Sequence, residues 1–235
     1  MNKQSNTYTL IYIIVLVVVV GTALALTSIS LKPRQQANAD ADKMRQILAS
    51  IEISVPESDI ISAYDKYVTS TFLVDENGNR VEGADVFEID VARQSKEPAA
   101  ERLLPVYECR LDDCAVQDVM PVYGAGLWGP IWGYVSVDSD GTSIYGAYFA
   151  HQGETPGLGA EIEKPAFSSQ FSGKKLIKDG RFVPVVVVKK GQTPAGDEDY
   201  VDGVSGGTIT SKGVGAMLDN CLSPYGAFLK SLDQQ

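Results

Sequence analysis

The chain has 235 residues, 44% of them hydrophobic, and a formal net charge of −10 at pH 7. Nucleic-acid binding needs basic patches that neutralise phosphates, so an acidic chain without such a patch is not expected to bind nucleic acid. The single histidine, His151, excludes a multi-histidine metal site, and no metal site is predicted. Hydrophobic residues concentrate at the N-terminus, and the roughly 200 residues that follow are enough for one domain with its own core.

The N-terminal stretch 10–29 contains no charged residue. Twenty helical residues extend about 30 Å, which is the thickness of a bilayer core. The sequence therefore predicts a tail at 1–9, a single transmembrane helix at 10–31 and a domain at 32–235. A cleaved signal peptide is the alternative, since Ala23-Leu24-Ala25 resembles a cleavage site, although this tripeptide lies inside the apolar stretch.

Charged residues near the span leave the side of the domain undecided. Lys3 precedes the span, whereas the basic residues that follow it are Lys32, Arg34, Lys43 and Arg45. The positive-inside rule applied to these charges places the domain in the cytoplasm, but long domains are translocated largely regardless of such charges.

Two amphipathic helices are predicted directly after the span. Apolar residues at 44, 47, 48 and 51 repeat at helical spacing within residues 38–51. Next, Ser54-Val55-Pro56-Glu57 has the pattern of a capping box that starts a second helix. The side chains that this helix is expected to bury are Ile60, Ile61, Tyr64, Tyr67 and Val68.

Strand patterns and a closing helix fill the rest of the domain. Hairpin turns are predicted at Asn77-Gly78 and Asp140-Gly141, and the β-branched run 183–188 predicts a strand buried on both faces or nearly so. Apolar spacing within 211–232 predicts a closing helix that Pro224 ends or kinks. Helices and hairpins mixed in this way predict an α+β fold, a mainly antiparallel sheet flanked by helices.

The three cysteines include no Cys-x-x-Cys pair, which disfavours a zinc ribbon or a thioredoxin-like site. Cys109 and Cys114 bracket four residues, and the sequence leaves open whether they form a small-loop disulfide or two free thiols. Cys221 falls in the apolar pattern of the closing helix and is predicted to be a small core residue.

Three segments combine glycine with aromatic or polar residues. The first, 121–134, contains Gly124, Gly126 and Gly129, but the predicted elements around them do not form the strand–turn–helix unit of a dinucleotide-binding fold. Two interpretations of this segment remain open: a glycine loop that lets a planar ring lie against the backbone, and a packed hairpin with tryptophan in the core.

The other two segments offer polar groups. In 151–162, Glu154, Thr155 and backbone amides are candidates to hold the polar edge of a heterocycle, and a hydrogen-bonded turn made by His151 and Glu154 is the alternative. In 202–214, glycines and hydroxyl residues lead into the closing helix, whose first N–H groups favour a phosphate. The spacing is not that of a Walker A loop, and an ordinary N-cap sequence is the alternative.

The third segment carries the most specific pattern. Asp202-Gly-Val-Ser-Gly-Gly-Thr-Ile-Thr210 resembles the flavinylation motif of FMN-binding domains, whose final hydroxyl residue carries FMN through a phosphoester bond. The resemblance therefore implies that FMN is attached to Thr210. It further implies that Asp202 binds a metal for the modifying enzyme or caps the turn. The neighbours expected to shape the loop or pair with the phosphate are Ser205, Gly206, Gly207, Thr208 and Lys212.

The first two segments resemble parts of the same family. Loop 153–159 resembles its second flavin-contacting segment, and the residues thereby expected at the isoalloxazine are Glu154, Thr155, Leu158 and Gly159. Segment 126–134 resembles one branch, the C subunits of sodium-translocating NADH:quinone oxidoreductases, which implies that Leu127 and Trp128 lie nearby. The N-terminal span and residues 223–229 also fit that branch.

The resemblance implies an electron-relay subunit that holds covalent FMN within a sodium-pumping membrane complex and is not catalytic alone. The expected partners are the NADH-oxidising, quinone-reducing and second flavinylated subunits, and a flavin transferase that takes FMN from FAD. The expected location is the inner membrane, with a cytoplasmic N-terminus and a periplasmic domain. Two alternatives remain: the G subunit of an Rnf-type ferredoxin:NAD electron-transport complex, and a non-catalytic membrane-anchored binding module.

Overall fold

The computed structural model describes residues 6–81 and 85–232. The chain divides between Lys43 and Met44 into two compact units, an N-terminal helical unit and a domain. Lys3 and the rest of the predicted tail up to residue 5 lie outside the described residues.

The first unit is the N-terminal part of helix α1, which spans Asn6–Ser50. An 18-residue window of α1 has a mean hydropathy of 2.8, and none of that window is buried. By length and composition this helix is sufficient to cross a membrane. It starts inside the predicted tail and continues through Pro33, so the helix is longer than its apolar part, and the limits 10–31 of the span stay a prediction.

The last turn of α1 belongs to the domain. Ile47 and Leu48 are buried there together with Ile51, and they pack in a cluster that includes Tyr107. The predicted amphipathic stripe is therefore confirmed. Trp132 Nε1 also donates a hydrogen bond to Gln46 Oε1 at 3.0 Å, which attaches this turn to the sheet.

The second helix is shorter than the pattern indicated. A 3-10 turn at Glu57–Asp59 precedes α2, at Ile60–Tyr67, and no side chain caps that turn, so the capping box does not form. The expectation that Ile61 is buried was wrong, because this side chain is 60% exposed. Ala63 is buried instead, since it lies on the same helix face as Ile60 and Tyr67.

The domain is built on a six-stranded antiparallel sheet with the order β2-β1-β3-β4-β5-β6. Its strands are β1 Val68–Val74, β2 Arg80–Val81, β3 Leu104–Arg110, β4 Val116–Ala125, β5 Pro130–Asp138 and β6 Ile144–His151. Both predicted hairpin turns are present, with Gly78 and Gly141 at φ of 81° and 67°, a left-handed conformation that glycine adopts without strain. The α+β prediction is confirmed.

Helices cover both faces of this sheet. The remaining helices are α3 Val91–Gln94, α4 Pro165–Ser168, α5 Thr208–Leu222 and α6 Gly226–Leu232. One face packs against α5 and α6 in a large core that includes Met217 and Phe228, whereas the other face packs against α2 and the end of α1. As predicted, α5 stops before Pro224, which lies in a short 3-10 turn between α5 and α6.

Four short strands form two further pairs. Strands β7 Ile177–Lys178 and β8 Arg181–Phe182 form a hairpin, while β9 Val186–Val188 and β10 Tyr200–Asp202 pair in parallel. The prediction of a strand buried on both faces at 183–188 was wrong. Only Val186–Val188 is a strand, and it is half-buried because it lies outside the main sheet.

All three cysteines are free thiols. Cys109 is buried in β3, where burial raises the pKa of its thiol to about 12, whereas Cys114 is exposed in the following turn. Cys221 is the core residue that the pattern predicted, and its Sγ donates to the carbonyl oxygen of Tyr123 at 3.3 Å.

Candidate functional site

The start of α5 is held at one end of the main sheet because two glycines let the helix approach β4 closely. A Cβ on Gly124 would lie 2.7 Å from the Cβ of Met217, and a Cβ on Gly213 would collide with the carbonyl oxygen of Ala125. Neither position has room for a side chain. Segment 202–214 is thereby brought beside the loop that joins β4 to β5.

The three glycine-rich segments converge on the carboxylate of Glu154. The hydroxyl of Thr210 donates to Glu154 Oε2 at 2.6 Å, and the backbone N–H of Trp128 donates to Oε1 at 2.8 Å. Glu154 is itself buried. One carboxylate therefore ties the loop after β6 to the β4–β5 loop and to α5.

Two glycines leave the space that this carboxylate occupies. A Cβ on Gly126 would lie 2.5 Å from Glu154 Oε1. A Cβ on Gly159 would lie 2.6 Å from Thr210 Oγ1 and nearer still to Glu154 Oε2. Both glycines are needed here because of this close approach, and their conformational freedom is not the reason.

The hydrogen bonds keep Glu154 ionised. Burial raises its pKa, but the hydroxyl of Thr210 and the backbone amides of Trp128 and Leu127 stabilise the carboxylate and hold the pKa below its ordinary value. The backbone N–H of Glu154 donates to Nδ1 of His151 at 3.1 Å. The turn considered as the alternative for this segment is therefore present, and it uses the backbone of Glu154 while the side chain reaches inward.

The two threonines at the start of α5 point to different sides. Thr208 is exposed, whereas Thr210 is 1% exposed and its hydroxyl is engaged by Glu154. A helix turns about 100° per residue, so residues two positions apart lie on nearly opposite faces. Lys212, four residues after Thr208, lies on the face of Thr208.

Thr208 lines an open cleft of about 530 Å³. One wall is the start of α5 with Ser211 and Lys212, and the other is the end of β9 with Lys189 and Lys190 after it. Further lining residues are Ser205 and Gly206. Within the described parts of the chain, none of the three lysines pairs with a carboxylate, although the protein carries 30 acidic residues against 20 basic ones.

Asp202 holds the lysine-bearing turn against this cleft. Its Oδ1 accepts the backbone N–H of Gly191 at 3.3 Å, and its own N–H donates to Gln170 Oε1 at 2.9 Å. Asp202 therefore contacts the turn that follows β9, and its role toward a metal of the modifying enzyme stays a prediction.

An exposed apolar patch surrounds the same loops. Among the described residues after α1, the large hydrophobic side chains that are exposed are Ile61, Leu127, Trp128, Leu158 and Ile209. All but Ile61 belong to the three converging segments, and Leu158 also contacts Gly206, since a Cβ there would lie 2.6 Å from its Cδ2. Hydrophobic side chains gathered in this way at a surface indicate a binding site.

The arrangement suits a ligand with a phosphate and a flat apolar ring system. The lysines of the cleft and the start of a helix attract the phosphate. Apolar surface for the rings is offered by the patch of Leu127, Trp128, Leu158 and Ile209. Comparison with known proteins names such a ligand, because residues 126–223 match the model of the FMN-binding domain family.

The chain is similar to the C subunits of Na(+)-translocating NADH-quinone reductases. It is 37% identical to that of Vibrio anguillarum over 189 residues, which are 74% of this chain and 71% of the relative. It is 32% identical to that of Vibrio alginolyticus over 205 residues, 80% of each chain. The chain belongs to this family of reductase C subunits.

Solved structures of other members of the family have the same fold. The crystal structure of the reductase C subunit from Parabacteroides distasonis is 53% identical, with a TM-score of 0.79 over 85% of this chain and 96% of that one. Shewanella oneidensis NqrC is 27% identical, with a TM-score of 0.68 over 85% of this chain and all of that one. The predicted resemblance is confirmed, and the Rnf-type alternative is not favoured.

The structure shows where the residues expected from the motifs lie. Ser205, Gly206, Thr208 and Lys212 line the cleft, while Gly207 is buried beside Gly159. Glu154 does not face the patch, because its carboxylate is turned inward to Thr210. Thr155 is exposed, and its carbonyl oxygen accepts the N–H of Leu158 and of Ala160.

Sequence reasoning missed Lys189, Lys190 and Ile209. The signal for the lysines was available, since Lys-Lys-Gly directly after a β-branched run places two cations at the end of a strand. What no local pattern gives is the parallel pairing of β9 with β10, which brings that strand end beside the start of α5.

Proposed function

We propose that this chain is an electron-relay flavoprotein subunit of a Na⁺-translocating NADH-quinone reductase, and that it holds FMN through a phosphoester bond to Thr208. FMN supplies the ability to accept and release electrons one at a time. The observation that carries the proposal is the position of Thr208, which is exposed in the lysine-lined cleft and directly precedes Ile209 of the apolar patch.

Thr208 suits an ester better than Thr210, the residue to which the motif pointed. Esterification requires that a phosphate reach the hydroxyl, and Thr210 is 1% exposed and donates to Glu154. A phosphate on Thr210 would also add negative charge beside a buried carboxylate, which is costly. At Thr208 the helix start and Lys212 favour the phosphate instead.

The neighbouring residues have distinct tasks in this proposal. Lys212, on the helix that carries Thr208, pairs with the ester phosphate, and Ser205 and Gly206 form the cleft edge. The apolar patch packs against the rings and excludes water from them; its side chains are Leu127, Trp128, Leu158 and Ile209. Glu154 holds the three loops together, and Gly126 and Gly159 leave room for its carboxylate. The shape of those loops depends on Gly207 and Thr155.

The partners are the other subunits of the reductase, since relatives of this chain are named as one subunit of it. NADH oxidation and quinone reduction belong to partner subunits, and a second flavinylated subunit exchanges electrons with this one. A flavin transferase that uses FAD as donor forms the ester. A cofactor that cannot dissociate suits a relay, because no turnover step requires its release.

Helix α1 anchors the chain in the inner membrane, which its length and composition support. We place its N-terminus in the cytoplasm, the span at 10–31 and the domain at 32–235 in the periplasm. Protease added to spheroplasts should then digest the domain while leaving a cytoplasmic marker intact. Protection of the domain until the membrane is lysed would reverse the orientation.

The attachment is tested by in-gel flavin fluorescence of chain produced together with the transferase. Wild type, Thr210→Val and Thr208→Ser should give a fluorescent band after denaturation, whereas Thr208→Val should give none. The intact mass of the labelled forms should exceed that of the polypeptide by esterified FMN. A dark Thr210→Val with a fluorescent Thr208→Val would return the ester to Thr210.

The alternative of a membrane-anchored binding module makes a different prediction. The apolar patch would then bind a protein without any flavin, and wild-type chain from cells that contain the transferase would be colourless and have the mass of the bare polypeptide. The match to the FMN-binding domain family favours the flavoprotein.

A further inference from the structure

The cleft beside Thr208 carries more positive charge than a single ester phosphate requires. Lys189, Lys190 and Lys212 supply three charges, and none of them pairs with a carboxylate within the described residues. A phosphate esterified on both sides carries only one negative charge. In an acidic protein, three lysines around one cleft that have no carboxylate partner among the described residues indicate a ligand with more than one anionic group.

We propose that this cleft binds the pyrophosphate of the flavin dinucleotide during attachment, so that the acceptor chain contributes its own cations to the transfer. The inference rests on the proposed function. The pyrophosphate carries two negative charges, and the cleft of about 530 Å³ has the size of small-molecule sites. Thr208 lines the same cleft, which brings its hydroxyl to the phosphate that it must attack.

The transfer is balanced without an oxidant or reductant. Thr208 Oγ forms a bond to the phosphorus that bears the ribityl oxygen, and the bond from that phosphorus to the bridging oxygen breaks. AMP leaves with the bridging oxygen, and the hydroxyl proton passes to a base of the transferase. The charge on the departing phosphate grows from one to two, so the lysines bind more strongly as the bond breaks.

The two walls of the cleft bind different phosphates of the pyrophosphate. Lys212 stands on α5 one helical turn after Thr208, which places it at the phosphate that stays. Lys189 and Lys190 stand on the opposite wall, in the turn that Asp202 fixes through the N–H of Gly191, and are assigned to the phosphate that leaves. The pair on the opposite wall is therefore needed for transfer and dispensable for the finished ester.

The test measures attachment and the finished flavin separately, on the full chain in detergent. Flavin-free chain is mixed with purified transferase and FAD, and the initial rate of label incorporation is followed by in-gel fluorescence. The double variant Lys189→Gln/Lys190→Gln should lose about tenfold or more in that rate, as expected when charge-assisted hydrogen bonds are removed. Lys96→Gln, an exposed lysine outside the cleft, should react like wild type.

Fully labelled double variant should then have the flavin midpoint potential of wild type. A double variant that is labelled as fast as wild type overturns the inference. If its midpoint potential also shifts, the lysines serve the finished flavin and not the transfer. If wild-type chain takes up no flavin, the proposed function fails together with the inference. Thermal unfolding of the variants before the assay identifies a folding defect, and Lys189→Arg/Lys190→Arg should restore the rate if charge is what matters.

Discussion

Two buried carboxylates at different places in the domain have opposite surroundings. Glu154 is 5% exposed and Asp118, in β4, is 4% exposed. Hydrogen bonds hold the pKa of Glu154 below its ordinary value, whereas burial and then the nearby Glu108 raise the pKa of Asp118 to about 7, with Arg80 opposing them. Asp118 Oδ1 has no hydrogen-bond partner in the described part of the chain.

The difference comes from where backbone N–H groups are free. Asp118 lies in a central strand, paired with Glu108 of β3 on one side and Val137 of β5 on the other, so the backbone donors around it belong to the ladder. Glu154 lies among loops, where the N–H of Trp128 and the hydroxyl of Thr210 are available. Burial raises the free energy of an ionised carboxylate, and nearby hydrogen-bond donors determine whether the carboxylate stays ionised.

The largest effect is expected at Gly159. In Gly159→Ala the new methyl group would overlap Thr210 Oγ1 and Glu154 Oε2, so the hydrogen bond between them must break. Overpacking and the loss of partners for a buried carboxylate together should lower the free energy of unfolding by about 3 kcal/mol. Urea unfolding of the full chain in detergent, followed by tryptophan fluorescence, measures this.

Gly153→Ala is the matched control, because a Cβ at Gly153 meets no atom of the described residues within 4 Å. It should change the free energy of unfolding by less than about 0.5 kcal/mol. Equal losses in the two variants would mean that loop flexibility, and not the space beside Glu154, determines the requirement for glycine.

Asp118 should make the protein less stable as pH rises. The folded state binds its proton more tightly than the unfolded state, so its contribution to stability is complete below the ordinary pKa near 4 and is lost as pH rises through about 7. Asp118→Asn cannot ionise, and it should exceed wild type by about 2 kcal/mol at pH 8 while matching it near pH 4.

The same denaturation experiment at several pH values gives this difference, and Asp65→Asn, at an exposed site on α2, is the control. A constant difference between wild type and Asp118→Asn from pH 4 to pH 8 would show that Asp118 stays charged in the folded protein.

Thr210→Val and Thr208→Val separate the two threonines by stability as well as by labelling. Thr210→Val removes a donor to a buried carboxylate and should cost about 2 kcal/mol, whereas Thr208→Val, at an exposed position, should cost less than about 0.5 kcal/mol. Flavin attachment should show the reverse pattern. Equal stability losses would contradict the different environments assigned to the two side chains.

Much of the site was predictable because its chemistry is local in sequence. Glycine and hydroxyl spacing at 202–210 identified the loop, and Glu154 and Trp128 were singled out from their own segments. Their roles were harder to predict. The direction in which a carboxylate points depends on donors that arrive from segments about 26 and 56 residues away, and only the assembled sheet brings them together.

The strand pairings likewise divide into those that follow from local sequence and those that do not. Antiparallel hairpins follow from Asn77-Gly78 and Asp140-Gly141, because those turn residues determine which strands are neighbours. The parallel pairing of β9 with β10 has no such local signal, since it is closed by a longer connection. The lysine wall of the cleft depends on that pairing and was therefore missed.

Glu154→Gln should have the smallest effect on the free energy of unfolding, with a pH dependence opposite to that of Asp118→Asn. Glutamine keeps the size of the side chain and can still meet Thr210 and the N–H of Trp128, but it loses the charge that strengthens both bonds. The loss should be about 1 kcal/mol at pH 7. Because the folded pKa of Glu154 is depressed, its contribution is present above the ordinary pKa and is lost as pH falls through the folded value.

The gap between wild type and Glu154→Gln should therefore close on acidification, whereas the gap between wild type and Asp118→Asn opens as pH rises. Both gaps come from the same urea titrations, so each variant serves as the other's control for general effects of pH on the fold. A gap for Glu154→Gln that widens as pH falls from 7 toward the ordinary pKa of 4.5 would mean that burial outweighs the donors at this carboxylate. The contrast between the two regions would then disappear.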